Sequence, residues 1–126
     1  MNKKAINPVK WFEIYVSDME RARKFYESVF DTQLTEMQMQ GLEMWGFPYD
    51  EASWGCSGAL IKMQSVTPSG VSTVVYFGSD DCAIEEQKIL EFGGKIHKSK
   101  LSIGENGYIV LGIDTEGNMI GIHSNK

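Results

Sequence analysis

"WFEIYVSDMERARKFYESVFD", residues 11–31, holds a complete strand-to-helix transition, and its reading decides the fold. Residues 9–16 are β-branched and aromatic, and they predict a strand. Glu13 interrupts its apolar run. A carboxylate at that place is costly if buried dry and unpaired, so its surroundings become the central question. The chain then turns at Ser17-Asp18. Ser17 with Glu20 fits a capping box, and Asp18 adds acid to the first turn of a helix. Ala22, Phe25, Tyr26, Val29 and Phe30 follow at helical spacing and form one apolar stripe.

The same order returns downstream. After the helix, "LTEMQMQ", "LEMWGFP" and "GALIKM" read as strands over residues 34–63, broken by Gly41 and "PYDEASWGCSG". "QSVTPSG", 64–70, has the composition of a linker. "VSTVVYFGSDD" then repeats the strand and helix start. "CAIEEQKILEF" is a shorter helix stopped by Gly93-Gly94, and "KIHKSKL", "GYIVLGI" and "NMIGIHS" are three more strands, the last two joined by a "DTEGN" turn. Asp18 aligns with Asp80 or with Asp81, for a repeat of about 62 or 63 residues. The expectation is an α+β fold of two βαβββ modules in one domain, residues 1–126. Module 1 runs from about residue 6 to 63 and module 2 from about 71 to 124. Together they make a cupped, mostly antiparallel eight-stranded sheet around a cavity, with helices outside.

Composition excludes several classes. The chain has 126 residues, 42% apolar and 23% charged, enough for one core and too few for two ordinary domains. A net charge of −5 without a Lys/Arg cluster argues against nucleic acid. Cys56 and Cys82 form no CxxC, which suits a reduced compartment. The first residues lack an apolar segment, and no run reaches the roughly 20 residues of a spanning helix, so a cytoplasmic, membrane-free protein is expected. No P-loop, GxGxxG, GxSxG or HExxH occurs.

Three stretches carry a family resemblance: "FEIYVSDMERARKFYESVF" at 12–30, "VVYFGSDD" with a helix and "FGGK" at 74–95, and "DTEGNMIGIHS" at 114–124. They resemble the vicinal oxygen chelate superfamily, which includes glyoxalase I, bleomycin-resistance proteins, fosfomycin-resistance enzymes and extradiol dioxygenases. The resemblance implies paired βαβββ modules around a small-molecule cavity, commonly in a homodimer. It also implies a divalent metal held by His and Glu or Gln in the enzymes. Carried onto this sequence, those ligand positions fall on Trp11, Val74 and Gly121, and a fourth falls in "GALIKM", which has neither acid nor imidazole. No resident metal or other cofactor is therefore expected.

Strand parity gives the alternative site. If Trp11 faces the cavity, so do Glu13 and Tyr15, because strand side chains alternate. By the same rule Tyr76 shares the face of Val74, and His123 that of Gly121 and Met119. Trp11, Glu13, Tyr15, Trp45, Tyr76 and His123 are thus the candidate ligand-binding residues, with Glu13 and His123 as candidate acid–base groups. Trp54 is a further candidate for the cavity wall or a dimer contact, and Met37, Met39, Met44 and Met63 offer an adaptable apolar lining. His97, between lysines, reads as a solvated edge residue. Three functions fit these residues. The first is a metal-free binding protein for a small aromatic or cationic compound. The second is a glyoxalase-like lyase or isomerase using Glu13 as base or an unconventional metal site. The third is a non-catalytic structural or regulatory dimer.

Overall fold

The computed structural model describes residues 7–66 and 72–126, so most of the expected linker lies outside the described residues. The chain divides into two compact units, one of Trp11–Thr73 and the other of Val74–Lys126 with the residues before Trp11. Each carries one helix and a four-stranded sheet of the same topology, which makes eight strands and two βαβββ modules, an α+β fold.

In the first module β1 (Val9–Tyr15) leads into α1 (Met19–Phe30), then β2 (Thr35–Met37), β3 (Glu43–Gly46) and β4 (Ser57–Lys62). The strands lie in the order β2-β3-β4-β1. β1 runs parallel to β4, with Glu13 opposite Ala59, while β4 with β3 and β3 with β2 are antiparallel. The second module repeats this with β5 (Thr73–Gly78), α2 (Cys82–Glu91), β6 (Lys95–Ser102), β7 (Tyr108–Ile113) and β8 (Met119–Ser124). Its order is β5-β8-β7-β6, again with one parallel and two antiparallel pairings. β6 lies at the sheet edge and is irregular between Ile96 and Lys98, which leaves His97 exposed there.

The helix starts are set by Asp18 and Asp81, whose side chains accept from the amides of Arg21 and Ala83 at 3.0 Å. The expected Ser17–Glu20 capping box is not formed. Asp18, one residue later, is the N-cap, since its short carboxylate reaches the free amides of the first turn directly. The matching cap at Asp81 settles the repeat at 63 residues. "DTEGN" forms the β7–β8 turn, where Asp114 accepts from the amides of Glu116 and Asn118. No helix among the described residues is long and apolar enough to cross a membrane.

One face of each sheet is covered by its helix. In the first module Met19, Leu34 and Leu60 are buried there, against Ile14, Val16, Tyr26, Trp45 and Phe47. In the second Cys82, Val110 and Ile122 play that part. Ser124 closes the second core. Its hydroxyl accepts from the Cys82 amide at 3.0 Å and donates to the Lys126 carbonyl at 2.9 Å, so the last strand satisfies the first amide of α2. Ser124→Ala leaves that buried amide without its acceptor. The expected cost is about 1–3 kcal/mol of unfolding free energy, read by urea denaturation.

Candidate functional site

The opposite face of the first-module sheet is built from β1 outward. Trp11, Glu13 and Tyr15 alternate with Phe12, Ile14 and Val16, so the first three stand on the face away from α1. Ala59 and Ile61 share it from β4, Met44 from β3 and Met37 from β2, with Met39, Leu42 and Met63 packed at the rim. Ala59 and Ile61 are fully buried, and were missed as site residues because "GALIKM" is apolar on both faces. Gly46 permits the closest approach on this face: a Cβ there would meet the Met37 sulfur at 2.8 Å.

Glu13 is 7% exposed on this face. The Trp11 indole Nε1–H donates to its Oε2 at 3.2 Å, and the Tyr15 hydroxyl donates to its Oε1 at 3.2 Å. The carboxylate is therefore held by the two residues that strand geometry places on either side of it. Burial, then the charge of Glu13, then the hydrogen bond to it push the Tyr15 phenol well above the ordinary tyrosine range. The negative charge of Glu13 is thus felt by its neighbour in a partly dehydrated setting.

Trp45 is a correction. It lies on the α1 side of the sheet, where the Arg23 guanidinium sits 3.5 Å over its ring and its indole N–H donates to Glu43 at 3.1 Å. Its neighbours Met44 and Gly46 are the β3 residues on the Glu13 face. Trp54, in the β3–β4 connection, is 96% exposed and walls nothing.

Tyr76 and His123 belong to the second module. Tyr76 is 5% exposed and pairs with Gly121 across β5 and β8. A Cβ on Gly121 would meet its ring at 2.3 Å, so only glycine lets the ring lie there. His123 stands opposite Ile109 in the β7–β8 ladder, and its Nε2–H donates to the Asn106 carbonyl at 2.6 Å. That bond leaves Nδ1 as the ring's acceptor in the neutral form.

These residues do not fit the divalent metal used by relatives of this fold. Trp11 offers a donor N–H already committed to Glu13, β4 brings Ala59 and Ile61 to this face with Ser57, whose hydroxyl donates to the Phe47 and Pro48 carbonyls, Val74 has no donor atom, and Gly121 lies beneath Tyr76. Among the described residues, no group of three or more His, Cys, Asp or Glu is disposed to hold a metal ion.

Residues 8–122 match the Glyoxalase/Bleomycin resistance protein/Dioxygenase superfamily. The chain belongs to this superfamily. Solved structures share its fold at low identity. Methylmalonyl-CoA epimerase from Mycobacterium tuberculosis superposes with a TM-score of 0.72 at 13% identity, covering 100% of this chain and 93% of the epimerase. A hypothetical protein of Bacillus halodurans gives 0.72 at 13% identity, with 94% of each chain covered. A Streptomyces coelicolor methylmalonyl-CoA epimerase in complex with 2-nitronate-propionyl-CoA gives 0.68 at 14% identity, covering 96% of this chain and 99% of the other. A search of curated proteins finds no match.

The coupling of Tyr15 to Glu13 has a direct test. The Tyr15 phenol is expected to keep its proton well above the ordinary tyrosine value of about 10. Because its folded pKa is raised, the stability tied to it is full below about pH 10 and falls as the pH rises further. In Glu13→Gln the Tyr15 step moves down, leaving only the part due to burial. Tyrosinate absorbance across an alkaline titration reads the difference.

Proposed function

We propose that this protein binds a small organic molecule on the first-module face, without a resident metal, using Glu13 as the polar anchor. The observation that carries this reading is the buried carboxylate itself. An apolar surface with one convergent polar group is the usual make-up of a small-molecule site. Here the surface is Met37, Met39, Met44 and Met63 around Ile61 and Ala59, and the polar group is Glu13 between Trp11 and Tyr15. Methionine adapts its shape to the bound body, whereas the two aromatic rings hold the carboxylate in one orientation.

A metal-free lyase or isomerase is the second reading. Glu13 lies in a partly dehydrated setting of the kind used for proton abstraction. The named structural neighbours include epimerases, which lends this reading the support of fold analogy alone. In it, a carboxylate oxygen of Glu13 takes a proton from carbon beside a carbonyl group and returns it. Association as a homodimer in the cytoplasm completes the proposal. The exposed α1 residues Phe25, Val29 and Phe30 offer apolar surface for pairing.

Thermal denaturation against a library of small aromatic compounds of every charge type tests the binding reading. A ligand at a hundred times its Kd adds about 2.7 kcal/mol by mass action, an increase of several degrees in Tm. Stabilisation that disappears in a variant filling the face, Ala59→Leu, is the expected outcome. A library with no stabilising compound contradicts it. Turnover of a carbonyl substrate that is abolished in folded Glu13→Gln favours the second reading instead.

A further inference from the structure

We infer that Asn106 is a self-modification site: its side chain cyclises onto the Gly107 amide with loss of ammonia, and His123 promotes the step. This is independent of what the first-module face binds.

The site lies within the second module, in the connection between β6 and β7. Of the asparagines in the chain, Asn106 alone is followed by glycine. It ends the short 3-10 turn Gly104–Asn106 and is exposed. Its carboxamide makes no hydrogen bond among the described residues, so it can turn towards its own backbone. The fold in turn requires glycine at 107. The φ there is 105°, and a Cβ would run into the Ser124 carbonyl oxygen. The amide that follows Asn106 is therefore an unhindered one.

The Gly107 nitrogen gives up its proton and attacks Cγ of Asn106. An N–Cγ bond forms, the Cγ–Nδ2 bond breaks, and Nδ2 leaves as ammonia with the displaced proton. Water then opens the five-membered imide to aspartate or isoaspartate, and no other reagent is needed. As the amide proton leaves, negative charge spreads across the peptide unit onto the Asn106 carbonyl oxygen. That oxygen is the one His123 holds, with Nε2–H donating to it at 2.6 Å. A donor already aimed at an oxygen that gains charge lowers the barrier to the step. The same Nε2 would stand 3.3 Å from a Cβ at Gly107, so the imidazole flanks both residues of the reacting unit.

One contact opposes the reaction. The Gly107 N–H donates to the Gly104 carbonyl, but at 3.2 Å, the long end of the range for such bonds. Asn118 supplies the contrast. Its Nδ2 donates to Asp114 at 3.1 Å, and methionine follows it. Each conversion of Asn106 adds one negative charge to the β6–β7 connection, and the isoaspartyl product also adds a backbone carbon there. The change accumulates with the age of the molecule.

Incubation of the purified protein at physiological temperature in mildly alkaline buffer tests this, with peptide mapping by mass spectrometry to follow conversion of amide to acid. Asn106 of the folded wild type is expected to convert within about threefold of its rate in the chain unfolded in urea, whereas a site protected by the fold would lag far behind. Asn118 stays unchanged over the same period. His123→Leu, which has no donor, slows the folded protein by about fivefold or more, while His123→Gln, which keeps an N–H, retains most of the rate. Equal rates in wild type and folded His123→Leu overturn the role of His123. An Asn106 that persists in the folded wild type while the unfolded chain converts overturns the site itself. That comparison needs no variant, so a misfolded His123→Leu leaves the test intact.

Discussion

A carboxylate buried among apolar side chains has to be hydrogen-bonded, and Glu13 meets that requirement from its own strand. Residues two before and two after it project to the same side, and both carry a polar hydrogen at the end of a large ring. Trp11 and Tyr15 therefore serve as apolar wall and as donors at once. Across the parallel pairing, the position opposite Glu13 is Ala59, a side chain small enough to leave the carboxylate its space. An aliphatic residue at position 11 or 15 would take one donor from the carboxylate, at a cost of about 1–3 kcal/mol, and a larger one at position 59 would crowd it. The face away from α1 is organised around this requirement.

The frame is that of the superfamily, and a shared frame does not by itself carry the chemistry of its members. What distinguishes the chain is the type of atom at each inherited position. Trp11 presents a hydrogen-bond donor where a metal needs a lone pair, and Gly121 has given its place to the ring of Tyr76. Both are substitutions that fill and tighten, and a hole is left at neither.

Much of this was legible in the sequence, because the strongest local signals are the ones that determine it. The paired strand–Asp–helix transitions located both modules, and period-two alternation in "WFEIY" put Trp11, Glu13 and Tyr15 together. Trp45 shows where such reasoning ends. "LEMWGF" is apolar at nearly every position, so alternation cannot say whether Met44 or Trp45 turns towards α1, and a slip of one residue exchanges them. The helix decided it by supplying Arg23 to cover the indole. The cap at Asp18 over Ser17 is again a one-residue choice, made by which side chain reaches the free amides. Contacts between distant residues had no sequence signal at all. The Ser124–Cys82 bond spans 42 positions, the His123–Asn106 bond 17, and the stacking of Tyr76 on Gly121 depends on a strand pairing that no local pattern reveals.

The central claim is that Glu13 has replaced the metal centre and is no remnant of one. Metal content of protein purified without chelator, measured by plasma mass spectrometry before and after incubation with zinc, nickel, manganese and ferrous iron, tests it most directly. The account predicts metal far below one equivalent per chain in both cases and an unchanged Tm. Near-stoichiometric metal that is lost in Glu13→Gln would contradict it, because the carboxylate would then be a ligand and the superfamily's usual chemistry would be restored.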